Sequence, residues 1–109
     1  MIHRDERGVI KDLIVNRLFS LTYITFAEGS IRGNHYHNET IQVDLVWGSF
    51  VVASGDKKFL KKFGVIKHSP TIPHAYWALK TSKMLSFCIG KRRGEDYSKD
   101  TFKLEIPLL

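Results

Sequence analysis

Apolar positions along this chain come in short runs that break at turn-forming residues, a pattern that predicts strands rather than helices. Leu18 to Phe26 is rich in Leu, Thr, Tyr, Ile and Phe and stops at Glu28-Gly29-Ser30. Ile41 to Trp47 is followed by Gly48, and Ser49 to Ala53 ends at Ser54-Gly55-Asp56. Lys58 to Phe63 ends at Gly64, and Val65 to Lys67 continues toward the Ser69-Pro70 turn. His74 to Leu79 and Leu85 to Ile89 complete the set, with Phe102 to Ile106 as an edge strand and Asp12 to Asn16 as a first strand. No window of a dozen residues carries a helical stripe. Seven or more short strands at close spacing predict an all-β sandwich or closed barrel.

Composition narrows the class without changing it. The 109 residues make room for one domain, 1–109, with one hydrophobic core. At 43% hydrophobic and 26% charged the chain is expected to be folded throughout, except at its ends. No apolar run approaches the ~18 residues that span a bilayer. The stretch Met1 to Arg7 lacks the apolar segment of a secretory signal. With Cys88 the only cysteine there is no internal disulfide, and a cytoplasmic location is expected. Cys88 sits in the apolar stretch Met84 to Ile89 and reads as a buried, inert thiol.

The net charge of +6 favours an anionic partner. Its basic residues cluster at Lys57, Lys58, Lys61, Lys62 and Lys67, and again at Lys91, Arg92 and Arg93. Neither a stacking motif nor a recognition helix accompanies them, so a small phosphorylated or nucleotide-linked ligand is expected rather than nucleic acid. No membrane partner is expected either.

Chemistry concentrates in Gly29-Ser-Ile-Arg32-Gly-Asn-His35-Tyr-His37. Residues two apart on a strand face the same way, about 6.6 Å apart at Cα. His35 and His37 can therefore converge on one ion at ~2.0–2.1 Å from each nitrogen. A third histidine, His74, heads a strand after the turn Pro70-Thr-Ile-Pro73, and Tyr76 shares its face. Gln42 and Asp44 alternate with Val43 and Leu45, giving that strand a polar face from which Asp44 can orient a histidine if it lines a lumen. Arg32 can clamp a diphosphate in bidentate fashion, or form a surface ion pair. Trp47 and Trp77 read as core or as rim residues of a pocket. His3, in a polar tail, and His68, before the Ser69-Pro70 turn, read as solvated.

Gly29, the His35-Tyr36-His37 pair, Gln42, Gly48 and Pro70-Thr-Ile-Pro73-His74 together resemble the two-part signature of the cupin family. The resemblance covers about Gly29 to Leu79 and implies a single-domain jelly-roll β-barrel. It also implies a divalent metal (Zn, Fe, Ni or Mn) held at the positions of His35, His37, Gln42 and His74. Two departures matter. Gln42, a neutral and weaker ligand, stands where most metal-binding members have Glu, and the second motif is one residue shorter and lacks its glycine.

Arg32-Gly33-Asn34-His35-Tyr36-His37 further resembles cupins that process nucleotide-linked sugars for surface polysaccharides. These are 3,5-epimerases, 3,4-ketoisomerases and the cupin half of a capsular-polysaccharide reductase. Gly94-Glu-Asp-Tyr97 with Thr101-Phe102 loosely resembles their tail. The ketoisomerases similarly carry Gln at this position and work without metal; the reductase-linked cupins carry Glu and bind one. Both a metal-bound and a metal-free site therefore stay open.

The resemblance implies an isomerase or epimerase that removes a proton next to the carbonyl of a nucleotide-linked or phosphorylated keto-sugar. In a metal-free site His35 or His37 is the base, whereas a bound ion would polarise the carbonyl. Tyr76 returns a proton or positions the sugar, and Arg32, Gln42 and Asp44 contact the anionic sugar ligand. The alternatives are a metal-binding cupin that senses a small molecule without turnover and, disfavoured by the missing carboxylate, a metal-dependent oxygenase. A homodimer joined through an N-terminal strand or sheet edge is expected, because a small barrel must cover its edges.

Overall fold

The computed structural model describes residues 2–16, 18–89 and 100–109. Among the described residues, nine antiparallel strands form one curled sheet: β1 (Ile2–Asp5), β2 (Gly8–Val15), β3 (Phe19–Phe26), β4 (Ile31–His37), β5 (Ile41–Ser54), β6 (Lys57–His68), β7 (His74–Ala78), β8 (Ser82–Ile89) and β9 (Thr101–Lys103). Their order is β1-β2-β3-β8-β5-β7-β4-β9, and β6 pairs with β5 off that path. The second basic cluster, Lys91 to Arg93, and Gly94 to Tyr97 lie outside the described residues.

The sheet curls because β5 serves two neighbours in turn. Its first half, Ile41 to Trp47, pairs with β8, and its second half, Phe50 to Ser54, pairs with β7. Gly48 is the corner between them, with φ 133° and a missing Cβ that would stand 2.1 Å from Ser82 Oγ. That hydroxyl instead accepts the Ser49 amide at 2.9 Å. Gly48 and Gly64 thus lie inside continuous strands, where their glycines had suggested strand ends. The turn expected at Gly55 is present: a two-residue loop joins Ser54 to Lys57, and Gly55 supplies its positive φ of 60°. The predicted tail around His3 is also a strand, β1, paired with β2.

Alternation along the strands divides the lumen into two ends. Val46, Phe50, Val52, Ile66, Tyr76, Ala78 and Met84 pack with Phe26 into the hydrophobic core. Phe26, Phe50 and Tyr76 meet edge to face at centroid distances of 4.9 to 6.3 Å. In the next rows of the register the inward positions turn polar. Asp44 lies opposite Ser86 on β8, and Gln42 lies opposite Cys88 and His68. The aliphatic end supplies the driving force for folding; the polar end holds the chemistry. The tryptophans join neither end, since Trp77 is 40% exposed and Trp47 is outside the core cluster.

Candidate metal centre and cavity

One irregularity in β4 sets the site. The register of β4 against β7 shifts between Gly33 and His35, leaving Asn34 as a bulge at φ 57°. Residues three apart on a regular strand face opposite ways. The bulge removes that constraint and turns both Arg32 and His35 into the lumen. The chain end pins it: Asn34 Oδ1 accepts the amides of Leu108 (2.7 Å) and Leu109 (3.2 Å), and its carbonyl accepts that of Leu104 (2.9 Å).

His35, His37 and His74 converge, with one nitrogen of each within 4.8 Å of the others. Hydrogen bonds decide which nitrogens face the centre. His37 Nδ1–H donates to the Asp100 carbonyl (3.1 Å) and His74 Nδ1–H to the Ile72 carbonyl (3.4 Å). Carbonyls only accept, so a proton on Nδ1 satisfies both contacts, and that tautomer leaves the Nε2 lone pair of each ring for a ligand. His74 Nε2 lies 3.0 Å from His35 Nε2, and His37 Nε2 lies 3.0 Å from Gln42 Oε1. The Gln42 amide nitrogen donates to Asp44 Oδ2 (2.8 Å), which fixes Oε1 toward His37. With His37 in that tautomer, Nε2 and Oε1 are two acceptors at a distance that suits neighbouring ligands ~2.1 Å from one octahedral ion, whose edge is about 3.0 Å. The donor set fits a divalent metal.

Electrostatics favour the same use. Burial, then the neighbouring His37, pushes the His35 pKa down to about 4. Burial and the adjacent histidines, His68 foremost, push that of His74 down to about 2. Both rings are neutral at pH 7 and ready to ligate. Stability follows from the sign of the shift. Between pH 6.5 and about 4 the unfolded chain binds the proton that folded His35 refuses, so stability falls as pH falls through that window. His74 extends the loss toward pH 2. The urea midpoint of metal-free protein should therefore drop steadily from pH 7 to pH 4, and less steeply in His35→Ala. Parallel slopes in the two proteins would show that His35 is not buried as described.

Behind the centre lies a polar network that the sequence had hidden. Asp44 is fully buried, and its Oδ2 accepts the Tyr76 hydroxyl (2.5 Å) as well as the Gln42 amide. His68 Nε2–H donates to the Tyr76 oxygen (2.5 Å), 3.3 Å from the same carboxylate. Far from being solvated, His68 is 1% exposed and stacks on His74 with centroids 4.1 Å apart. The signal available was parity, since His68 is two residues beyond the inward Ile66 on one strand. Burial and Asp44 raise the Tyr76 pKa well above 10, so its hydroxyl is committed inside the network rather than poised to donate. Asp44 likewise is spent on Tyr76, Gln42 and His68 and does not line the cavity. Asp100 was also missed. Its carboxylate accepts the Asn38, Glu39 and Thr40 amides and shapes the turn after His37.

In front of the histidines is a cavity of about 260 Å³, whose wall includes Arg7, Arg32, His35, Gln42, His74 and Tyr76. Arg32 is 7% exposed and lies over the Phe26 ring at 5.5 Å, so the ion pair it forms with Asp5 is buried rather than on the surface. Its nearest carboxylate, Asp5, is 3.6 Å from Nη2, and Nε and Nη2 find no hydrogen-bond partner. Asp5 itself is held by Arg7, whose hydrogen bonds keep its carboxyl well below the usual range. The β6 lysines contribute nothing to the wall, and Cys88 reaches it as a thiol pushed up to about 12 by burial. No described helix is long and apolar enough to cross a membrane.

No protein-family model matches the chain, and no curated protein resembles it in sequence. Solved structures do share its shape. The capsular polysaccharide assembling protein CapF from Staphylococcus aureus superposes with a TM-score of 0.79 at 20% identity, over 97% of this chain and 32% of that one. Oxalate decarboxylase from Bacillus subtilis, in a structure at pH 4.6, gives 0.76 at 19% identity, over 95% of this chain and 30% of that one. Another structure of that enzyme, also at 0.76 and 19%, was described for its Mn(II) centres. The chain spans about a third of the length of these proteins. Likeness at that identity establishes architecture, and by that measure this chain has the cupin fold.

Proposed function

We propose that this cupin is an isomerase or epimerase acting next to the carbonyl of a nucleotide-linked or phosphorylated keto-sugar, with a divalent ion at His35, His37, His74 and Gln42. The carrying observation is Arg32, a buried guanidinium whose Nε and Nη2 make no hydrogen bond, on the wall of the cavity that His35 and His74 also line. Unsatisfied buried donors favour a ligand that brings an oxyanion. A volume near 260 Å³ lies just below the ~300 Å³ at which small-molecule sites begin, so it suits a sugar ring and leaves a nucleotide outside. The shape shared with a capsular polysaccharide assembling protein supports a sugar ligand, and the manganese of oxalate decarboxylase supports a divalent ion on this fold.

When bound, the ion would polarise the carbonyl and ease loss of the neighbouring proton. The residues of the chain position the substrate: Arg32 holds its anionic group, and the apolar stretch of wall excludes water. A metal-free reaction would rely on His35 as base, and a pKa near 4 makes it a weak one at neutral pH. That same observation favours a second reading, a metal-holding module that binds the small molecule without turnover.

Deuterium exchange separates the two. Incubation of metal-loaded protein with a phosphorylated or nucleotide-linked keto-sugar in D₂O should wash deuterium into the carbon next to the carbonyl. Saturable calorimetric binding without exchange would select the binding module, and no binding would overturn both. Arg32→Ala should weaken ligand binding by roughly 1.5–3 kcal/mol, about 10- to 150-fold, the range for a charge-assisted hydrogen bond. Unchanged affinity in calorimetry would remove Arg32 from the site.

A further inference from the structure

We propose that Asp44 is the counter-charge of the metal centre, acting one layer behind it through the Gln42 side-chain amide. This rests on the reading that His35, His37, His74 and Gln42 hold a divalent ion. Such a ligand set is neutral, so the ion would keep its full double charge inside a lumen that already contains Arg32. A buried charge of that size needs a carboxylate nearby. The described residues offer two fully buried carboxylates, Asp44 and Asp100. Asp100 has its oxygens taken by the amides of the turn after His37 and by the Thr40 hydroxyl. Asp44 is left.

Its connection to the centre is a single planar group. The Gln42 nitrogen donates to Asp44 Oδ2 at 2.8 Å, while the Gln42 oxygen lies 3.0 Å from His37 Nε2. An amide that gives its N–H to a carboxylate becomes more negative at its oxygen, so Asp44 makes Gln42 a stronger ligand than a free amide. Positions 42 and 44 share the inward face of β5, in adjacent rows of the register. Tyr76 from β7 and His68 from β6 hold the carboxylate in place from the other side. Gln42 and Asp44 thus divide between them the oxygen ligand and the negative charge that one Glu would combine. Asp44 is a positioning residue in this account.

The test is titration of purified, metal-stripped protein with Mn(II) or Co(II), followed by calorimetry and, for cobalt, by the visible absorption of the bound ion. Asp44→Asn should weaken binding about 10- to 100-fold, the range for groups that support a ligand, and shift the cobalt spectrum. Gln42→Glu alone should gain little, because the new carboxylate is pressed against Asp44. The exchanged pair Gln42→Glu with Asp44→Asn should bind at least as tightly as the original. It keeps one amide and one carboxylate in contact, so it reports even if Asp44→Asn alone fails to fold. Wild-type protein that binds the ion while Asp44→Asn binds it equally well overturns the role of Asp44 alone, as does an exchanged pair that binds more weakly than wild type. Wild-type protein with no saturable binding overturns the metal centre itself, and this inference with it.

Discussion

His74→Ala should reduce the affinity for Mn(II) or Co(II) more than about 100-fold while improving the tolerance of the metal-free protein to acid. The first effect follows from geometry. His74 carries its proton on Nδ1, toward the Ile72 carbonyl, and aims Nε2 at the point that His35 and His37 also face. Losing a ligand costs more than losing a supporting group, for which 10- to 100-fold is usual. The second effect has the opposite sign. The folded site holds the His74 pKa near 2, against 6.5 for a free ring, so this histidine favours the unfolded chain increasingly as pH falls below 6.5. Alanine has no proton to refuse. Metal titration at neutral pH and urea unfolding at pH 7 and pH 4 read the two effects separately. Affinity within tenfold of wild type would remove His74 from the centre.

Asp44→Ala should destabilise the fold by about 3–5 kcal/mol, the cost of leaving the partners of a buried charge alone. Its carboxylate is fully buried and accepts from Tyr76 and Gln42, with His68 at 3.3 Å. Removing it leaves the Tyr76 hydroxyl and the Gln42 amide without their acceptor and takes the carboxylate from beside His68, in a place where water does not reach, and leaves a small void beside the core. A domain of this size has roughly 5–15 kcal/mol in total, so the variant should sit near the edge of folding. Tyr76→Phe removes the donor to Asp44 and the acceptor of His68 and should cost about 1–3 kcal/mol. Denaturant midpoints of the three proteins at pH 7 decide it. A loss below 1 kcal/mol for Asp44→Ala would mean that the network is not closed to water.

The sequence determined those features that depend on neighbours in the chain. Alternating apolar runs between Gly, Pro and Ser marked most of the strands, because side-chain direction and turn geometry are local properties. The His35-x-His37 spacing placed both rings on one side of a strand, and Pro70 to Pro73 announced a third ring at the start of another. Gly48 and Gly64 were misread as ends because a glycine marks a bend without saying whether hydrogen bonding continues through it. Only tertiary structure could show that pairing resumes beyond Gly48, where β5 passes from β8 to β7, and that Gly64 itself stays paired with β5.

What the fold alone decided is the environment of each group. Arg32 and His35 share the lumen only because Asn34 bulges, and the groups that hold Asn34 come from the last residues of the chain. His68 looked like a solvated residue before a turn, yet Asp44 from β5 and Tyr76 from β7 enclose it. One nitrogen of His37 is contacted by a carbonyl 63 residues away. Burial, and with it the depressed basicity of His35 and His74, is a sum over strands remote in sequence. Residue types can be read from the chain, but whether an imidazole acts as base, ligand or stacking partner depends on which atoms the curled sheet brings within 3 to 4 Å of it.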